Sequence, residues 1–493
     1  MNDSGAPGVD RVPSGVAGLD IILNGGFLKG GLYIIQGMPG TGKTTLANQI
    51  CFNHAKDGGR AVYMTLLAEY HARMMQHLAT MTFFDPSCIP DKLSYISAFR
   101  TMRDDGAKGL LDMVRREVVA RKTSMLVLDG FANAQYMVEN SRELNEFYHE
   151  LQGVAIATDC TMFLLSSDDR VHTTPEYTIV DGILELSDEL FGWSSESALQ
   201  VIKLRGSSYL RGRHAFKITF AGLAVYPRIE AQLARPSRPD LGSTEKVTSG
   251  IVRLDALLGG GLPSASTTML MGPPGIGKTT LGLQFLAACS EGEPGLMFGF
   301  YETPARINIK IAAVCRPLRG LIDNGLVEVI WQPPTDGQID AYAACLLEAV
   351  HRRSVRRLFI DGLGALQNPA KPERMGSYLT ALMNELRVLG VTTVYTMETL
   401  DITGHQIWTS AGDLANLAKN LIILRYVERQ AELHRAISIL KVRDSDFDPV
   451  QRWFRLSAEG VVIGDRVSAS EASWSGTLPE SPAKAQSPGK PEN

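Results

Sequence analysis

Two octapeptides in this chain have the residue types and spacing to hold a polyphosphate. They are Gly37-Met38-Pro39-Gly40-Thr41-Gly42-Lys43-Thr44 and Gly272-Pro273-Pro274-Gly275-Ile276-Gly277-Lys278-Thr279. Both match G-x-x-x-x-G-K-[ST] at each fixed position. Glycines let the backbone bend until several N–H groups point at one anion, and a helix starting there adds the positive end of its dipole. Lys43 and Lys278 can then reach the terminal phosphates, while the Thr44 and Thr279 hydroxyls can ligate Mg²⁺. The nucleotide-binding set is Gly37, Gly40, Thr41, Gly42, Lys43, Thr44 and Thr45, then Gly272, Gly275, Ile276, Gly277, Lys278, Thr279 and Thr280. The ligand implied is ATP with Mg²⁺.

Such a site needs an acid at the end of a neighbouring strand to hold the metal's water shell. Leu126-Val127-Leu128-Asp129 and Leu358-Phe359-Ile360-Asp361 each end in one, Asp129 86 residues after Lys43 and Asp361 83 after Lys278. Matched spacing makes the pair a stronger signal than either strand alone, so Thr44 with Asp129 and Thr279 with Asp361 form the predicted metal set. Hydrolysis also needs a carboxylate to orient or deprotonate water, expected after the strand next to the loop. Phe300-Tyr301-Glu302 offers Glu302. Thr65-Leu66-Leu67-Ala68-Glu69 carries its acid, Glu69, one position late, and strand periodicity turns it away unless a bulge intervenes.

A third repeated pair is Lys203-Leu204-Arg205 and Lys441-Val442-Arg443. Residues two apart in a strand share a face. Lys203 with Arg205, and Lys441 with Arg443, thus present paired cations suited to a triphosphate from an adjoining subunit. The competing reading is a solvated basic edge strand that discourages aggregation.

Positioning these groups requires strand–loop–helix units, and the chain reads that way. Short apolar runs alternate with longer amphipathic stretches: Leu32–Gln36, Ala61–Leu66, Leu93–Ile96, Met125–Asp129, Thr161–Ser166, Gly182–Leu186, Leu199–Leu204 and Phe216–Phe220. The plan returns with Thr268–Met271, Gly295–Tyr301, Val327–Trp331, Leu358–Asp361, Thr392–Thr396, Asn420–Tyr426 and Ile437–Val442. Strands apolar almost throughout are covered on both faces, which predicts an α/β fold with a mainly parallel sheet flanked by helices. Lys278 lies 235 residues after Lys43, and the same offset relates Ser14-Gly15 to Ser249-Gly250 and Gly25-Gly26 to Gly260-Gly261. One long repeat at constant offset means two tandem homologous domains. We place a loose N-terminus at 1–12, domains at 13–233 and 247–465, a Pro-containing linker at 234–246, and a Ser/Pro-rich disordered tail at 466–493.

The 493 residues are 44% hydrophobic and 21% charged, enough for two large cores. A net charge of −4 supplies no global attraction for nucleic acid or anionic membrane. Six scattered cysteines without C-x-x-C spacing read as reduced core residues. No signal peptide or membrane-length apolar run is present, which predicts a cytoplasmic protein.

Together these residues resemble the KaiC family of double-domain, RecA-like P-loop ATPases. The resemblance covers about residues 10–465 and rests on S-G-x-x-x-L-D with its Gly-Gly turn, the phosphate loops, the strand-end aspartates, the K-x-R pairs and Asn420–Glu428. It implies hexameric double rings with ATP between subunits, K-x-R residues touching the neighbour's nucleotide, and a Glu-Glu pair after the second core strand. Here those positions read Leu67-Ala68 and Tyr301-Glu302, so the first domain is expected to bind ATP but turn it over poorly. Clock members of the family autophosphorylate adjacent Ser and Thr residues, where this chain has Ala415-Asn416, neither of which carries a hydroxyl. The leading expectation is a nucleotide-gated ATPase ring that signals through regulatory partner proteins. The alternative is a serine/threonine kinase or autokinase, with Thr409, Ser410 and Ser445 as nearby acceptors. A recombinase-like DNA-binding ATPase is a third reading, disfavoured by the acidic balance and the lack of a basic, aromatic-bearing loop.

Overall fold

The structure is a computed structural model that describes residues 10–66, 71–131, 141–167, 176–191, 193–240, 242–334, 338–367, 372–399, 418–429, 432–443, 445–458 and 460–468. It divides into two compact units, Met1–Pro236 with Asp336–Leu346 and Ser237–Thr335 with Leu347–Asn493. Each unit is built around one nine-stranded sheet.

In the first unit the strands are β1 (Leu32–Gln36), β2 (Ala61–Thr65), β3 (Leu93–Ser97), β4 (Met125–Asp129), β5 (Thr161–Ser166), β6 (Gly182–Phe191), β7 (Ser194–Leu204), β8 (Arg213–Thr219) and β9 (Gly222–Tyr226). Their order across the sheet is β3-β2-β4-β5-β1-β6-β7-β8-β9. The six strands from β3 to β6 run parallel, and β7 to β9 continue as antiparallel meanders. Helices α1 (Lys43–Lys56), α2 (His71–Leu78), α3 (Phe99–Arg121) and α4 (Ser141–Thr158) are the main helices of this unit.

The apolar strands are apolar because both faces are covered. Along β1, Tyr33 and Ile35 join one core with Leu46, Ile50 and Phe52 of α1. Leu32 and Ile34 join the other with Leu110 and Val114 of α3 and Phe147 and Leu151 of α4. The same alternation recurs in β4 and β5, so side chains two apart share a core, as pleating requires. Each fully buried large apolar side chain contributes about 1.5–3 kcal/mol relative to exposure. That burial holds the strand ends, and therefore the site, in place.

The second unit repeats the plan with β10 (Thr267–Gly272), β11 (Gly295–Gly299), β12 (Val327–Trp331), β13 (Arg357–Asp361), β14 (Thr392–Glu398), β15 (Asn420–Arg429), β16 (Glu432–Val442), β17 (Arg452–Ser457) and β18 (Gly460–Arg466). Its order, β12-β11-β13-β14-β10-β15-β16-β17-β18, matches the first strand for strand. Helices α5 (Lys278–Ala287) and α6 (Pro304–Val314) bear on the site. The chain therefore has the two tandem, mainly parallel α/β domains that its sequence pattern predicts.

The closing strands β9, β17 and β18 escaped the sequence reading. β17 is buried at a single position, so its apolar signal is weak, while β9 is a five-residue apolar run that follows β8 after a short turn. Five of the six cysteines are buried and all six are free thiols. Among the described residues no helix is long and apolar enough to cross a membrane. Residues 1–9 and 469–493, most of the expected loose end and tail, lie outside the described residues.

Candidate functional site

Each phosphate loop joins a fully buried strand to a helix that starts on the loop lysine. β1 runs into the first loop and α1 begins at Lys43; β10 runs into the second and α5 begins at Lys278. Gly42 and Gly277 cap these helices with φ of 94° and 118°, a left-handed conformation that a side chain would strain. The helix N–H groups and loop N–H groups thereby face one place, suited to an anion.

The lysines fold back over their own loops. Lys43 Nζ donates to the Gly37 and Met38 carbonyls at 2.7 and 2.9 Å, and Lys278 Nζ to Gly272 and Pro273 at 2.8 and 2.9 Å. Burial lowers the pKa of both, opposed by Asp129 for Lys43 and by Glu398 and Asp361 for Lys278. Thr41 shapes the first loop by donating to the Met38 carbonyl, at 2.9 Å. Ile276 is fully buried in the core, so it can offer a ligand only backbone.

The predicted metal pairs meet. Thr44 Oγ1 donates to Asp129 Oδ2 at 3.2 Å, and Thr279 Oγ1 to Asp361 Oδ2 at 2.9 Å. The sheet order corrects one detail of the sequence reading: the strand-end acids are not on neighbouring strands. β5 separates β4 from β1, and β14 separates β13 from β10. Strand adjacency follows from long-range pairing, which a motif does not contain. A hydroxyl beside a carboxylate is an all-oxygen donor set, which suits Mg²⁺ completed by phosphate and water oxygens. Among the described residues there is no cluster of three or more His, Cys, Asp or Glu that would compete for a different metal.

The two aspartates are supported differently, and sequence reasoning missed both supports. Tyr63 on β2 donates to Asp129 Oδ2 at 2.6 Å. Thr396 on β14 donates to Asp361 Oδ1 at 2.9 Å and accepts the Gly362 N–H at 2.7 Å. Burial nonetheless pushes both carboxyl pKa values up. The folded state therefore holds the ionised carboxylate at a cost. That cost is absent below the ordinary aspartate pKa of about 3.9, grows as pH rises towards the raised value, and is full above it. Asp129→Asn removes it, so the metal-free first domain of the variant should unfold at a higher temperature than wild type near neutral pH. The margin should vanish below about pH 4. Calorimetry across that range checks the sign; an unchanged midpoint near neutral pH contradicts it.

Glu302 follows β11, which is next to β13 in the sheet but three strands from β10. It is thus beside Asp361 rather than beside the loop strand, and its charge acts to raise the Asp361 pKa. Lys310, one helix further on in α6, pairs with Glu302. Exposed Tyr301 stands against Gly362, where a Cβ would lie 2.6 Å from its ring. Leu67, Ala68 and Glu69 lie outside the described residues. Immediately after them, His71 Nε2 lies 3.1 Å from Thr65 Oγ1 at the end of β2. A cavity of about 350 Å³ opens there, lined among others by Thr44, Thr45, Asp129, His71, Met74 and His77. Burial lowers the His71 pKa. Nothing in the motif pattern points to His71 or Lys310; both are helix residues brought in by packing.

The K-x-R pairs stand elsewhere. Lys203 is near the end of β7, and Arg205 is just past it. The ladder shifts register at Ile183/Leu184 opposite them, so simple strand alternation does not set their relation. Both turn onto one set of carbonyls: Lys203 Nζ donates to Thr178 and Val180 at 3.2 and 2.7 Å, and Arg205 donates to Thr178 and Ile179. In the second domain Lys441 Nζ donates to the Ala418 carbonyl at 2.8 Å, and the Arg443 N–H donates to Lys419 at 3.2 Å. The Arg205 N–H bonds Asp181, whose own N–H bonds Leu32, so Arg205 is level with the start of β1. The loop leaves the far end of β1, five residues away, or about 16 Å at 3.3 Å per residue. Each pair thus lies at the end of the strands opposite its own phosphate loop.

A family model described as the KaiC ATPase matches residues 12–230 and 247–468. The chain is 23% identical to the circadian clock oscillator protein KaiC of Picosynechococcus sp., over 97% of this chain and 94% of that one. It is 23% identical to the protein of that name from Thermosynechococcus vestitus, over 95% and 92% of the two chains. The protein of Synechococcus elongatus is 22% identical, over 97% and 93%.

Proposed function

The chain belongs to the KaiC family of ATPases, and from that premise we propose that it binds Mg²⁺-ATP in both domains' loops, hydrolyses it chiefly in the second, works as a nucleotide-dependent homohexameric ring in the cytoplasm, and signals through regulatory partner proteins. The observation that carries the reading is the duplicated loop with its threonine hydroxyl hydrogen-bonded to the strand-end aspartate. Bound Mg²⁺ would neutralise charge on the phosphates. Thr44 and Asp129, or Thr279 and Asp361, would hold it, while Lys43 or Lys278 would exchange loop carbonyls for phosphate oxygens. Glu302 would orient the attacking water in the second domain.

The position of the cation pairs supports shared sites. Lys203 with Arg205, and Lys441 with Arg443, are too far from their own loops to serve them, so a nucleotide they touch belongs to another subunit. Assembly should then follow nucleotide. Light scattering is expected to show large particles with saturating Mg²⁺-ATP and small ones without it; a protein that stays monomeric with ATP defeats the shared-site arrangement.

The relatives named above are clock oscillator proteins. A self-contained phosphorylation clock does not suit this chain, because Ala415 and Asn416 cannot accept a phosphate as a hydroxyl would. Those two residues, with Thr409 and Ser410, lie outside the described residues. Ser445 accepts a hydrogen bond from Lys246 Nζ at 2.6 Å and lies two residues after Arg443. The missing hydroxyls at 415 and 416 put hydrolysis to free phosphate ahead of transfer to protein. Tracing label from γ-labelled ATP decides between them: free phosphate is expected, and label retained on the chain would make it a kinase.

A further inference from the structure

The end of β14 carries a carboxylate to which the scheme above gives no task. Glu398 is in register with Gly272, the first residue of the second loop. Its Oε1 lies 3.9 Å from Lys278 Nζ, the ammonium that is to meet the phosphates. The side of the loop on which it stands matters. β14 lies between β10, which ends in the loop, and β13, which ends in Asp361. Thr279 and Asp361 would hold a metal there, and it would neutralise charge on the phosphates. A terminal phosphate shared by Lys278 and those two residues would lie across the end of β14, beside Glu398. Burial raises the Tyr301 pKa, and the charges of Glu398 and Asp361 add to the rise.

The first domain differs at this position. The Gly37 N–H donates to the Ser166 carbonyl at 3.2 Å, which makes the exposed Ser167 the counterpart of Glu398. A neutral hydroxyl stands where the second domain has a charge. The fold accepts either residue, so the carboxylate is not there for packing.

We propose that Glu398 sets the nucleotide preference of the second domain, disfavouring a γ-phosphate beside Lys278 and biasing that site towards ADP, whereas the first domain lacks this bias. The inference rests on reading the second loop as a nucleotide site. Like charges within about 4–6 Å oppose each other's ionised forms. ADP ends at the β-phosphate and leaves the Glu398–Lys278 pair in place. ATP brings its γ-phosphate to the same ammonium and must push the carboxylate aside. Glu398 is 59% exposed, so water screens the repulsion and the effect is about one order of magnitude rather than several. A domain with this bias is occupied according to the ATP-to-ADP ratio rather than to ATP alone.

The test uses the full-length Lys43→Ala chain, in which binding reports the second domain. It is titrated in Mg²⁺ with ADP and with a non-hydrolysable ATP analogue. ADP is expected to bind about tenfold more tightly than the analogue. Adding Glu398→Gln should tighten the analogue about tenfold and move ADP by less than about twofold. In the Lys278→Ala chain, Ser167→Glu should weaken the analogue at the first domain by a similar factor and leave ADP unchanged. The proposal is overturned if Glu398→Gln leaves the ratio of the two affinities unmoved, or shifts both ligands together. Loss of both nucleotides from the Lys43→Ala chain would instead overturn the nucleotide reading of the second domain, and this proposal with it.

Discussion

Glu302→Gln should lower phosphate release from the second domain by about a hundred- to ten-thousand-fold while nucleotide stays bound. Gln keeps the size of the side chain and its capacity to accept a hydrogen bond, but not the charge that draws a proton from water. Glu302 follows the strand beside Asp361 and is paired with Lys310. That pairing must loosen before the carboxylate can face water, so Lys310→Met should retain nucleotide and alter turnover rather than affinity. The first domain offers Leu67 and Ala68 at the matching positions, and neither can orient or deprotonate water. Steady-state release from Glu302→Gln, compared with Glu69→Gln, checks the assignment. If the Glu69 change abolishes turnover and the Glu302 change does not, the roles of the two domains are reversed.

Lys43→Ala and Lys278→Ala should each remove one class of bound nucleotide, halving the stoichiometry of the chain. Each ammonium already stands over its loop, donating to two loop carbonyls. Phosphate oxygens replace those acceptors with charged ones. Hydrogen bonds to charged groups contribute about 1.5–3 kcal/mol each, and losing two of them weakens binding by about two orders of magnitude or more. Burial lowers the pKa of both lysines, and an anion beside them restores the preference for the charged form. Equilibrium dialysis at a nucleotide concentration near the wild-type dissociation constant reads the result. Unchanged stoichiometry in either variant would show that the corresponding loop is not a nucleotide site.

The sequence by itself determined the elements and their duplication. A G-x-x-x-x-G-K-T run after a β-branched strand leaves the backbone little choice but to turn and start a helix at Lys43 or Lys278. The near-continuous apolar character of Leu32–Gln36 and Met125–Asp129 required cover on both faces, and the constant offset required the plan twice. These are short-range consequences of residue type, or repeats visible without a fold. The lateral order of the strands was decided only by the tertiary structure. That order put β5 between the first loop and Asp129 and put Glu302 beside Asp361, while the antiparallel course of β7 sent the Lys203/Arg205 pair to the opposite end of the strands from Lys43. Long-range packing likewise brought Tyr63 to Asp129, Thr396 to Asp361, Lys310 to Glu302 and Glu398 to Lys278. Each of those contacts joins residues whose spacing carries no signal, because strand pairing and core packing depend on the whole buried surface rather than on neighbours along the chain.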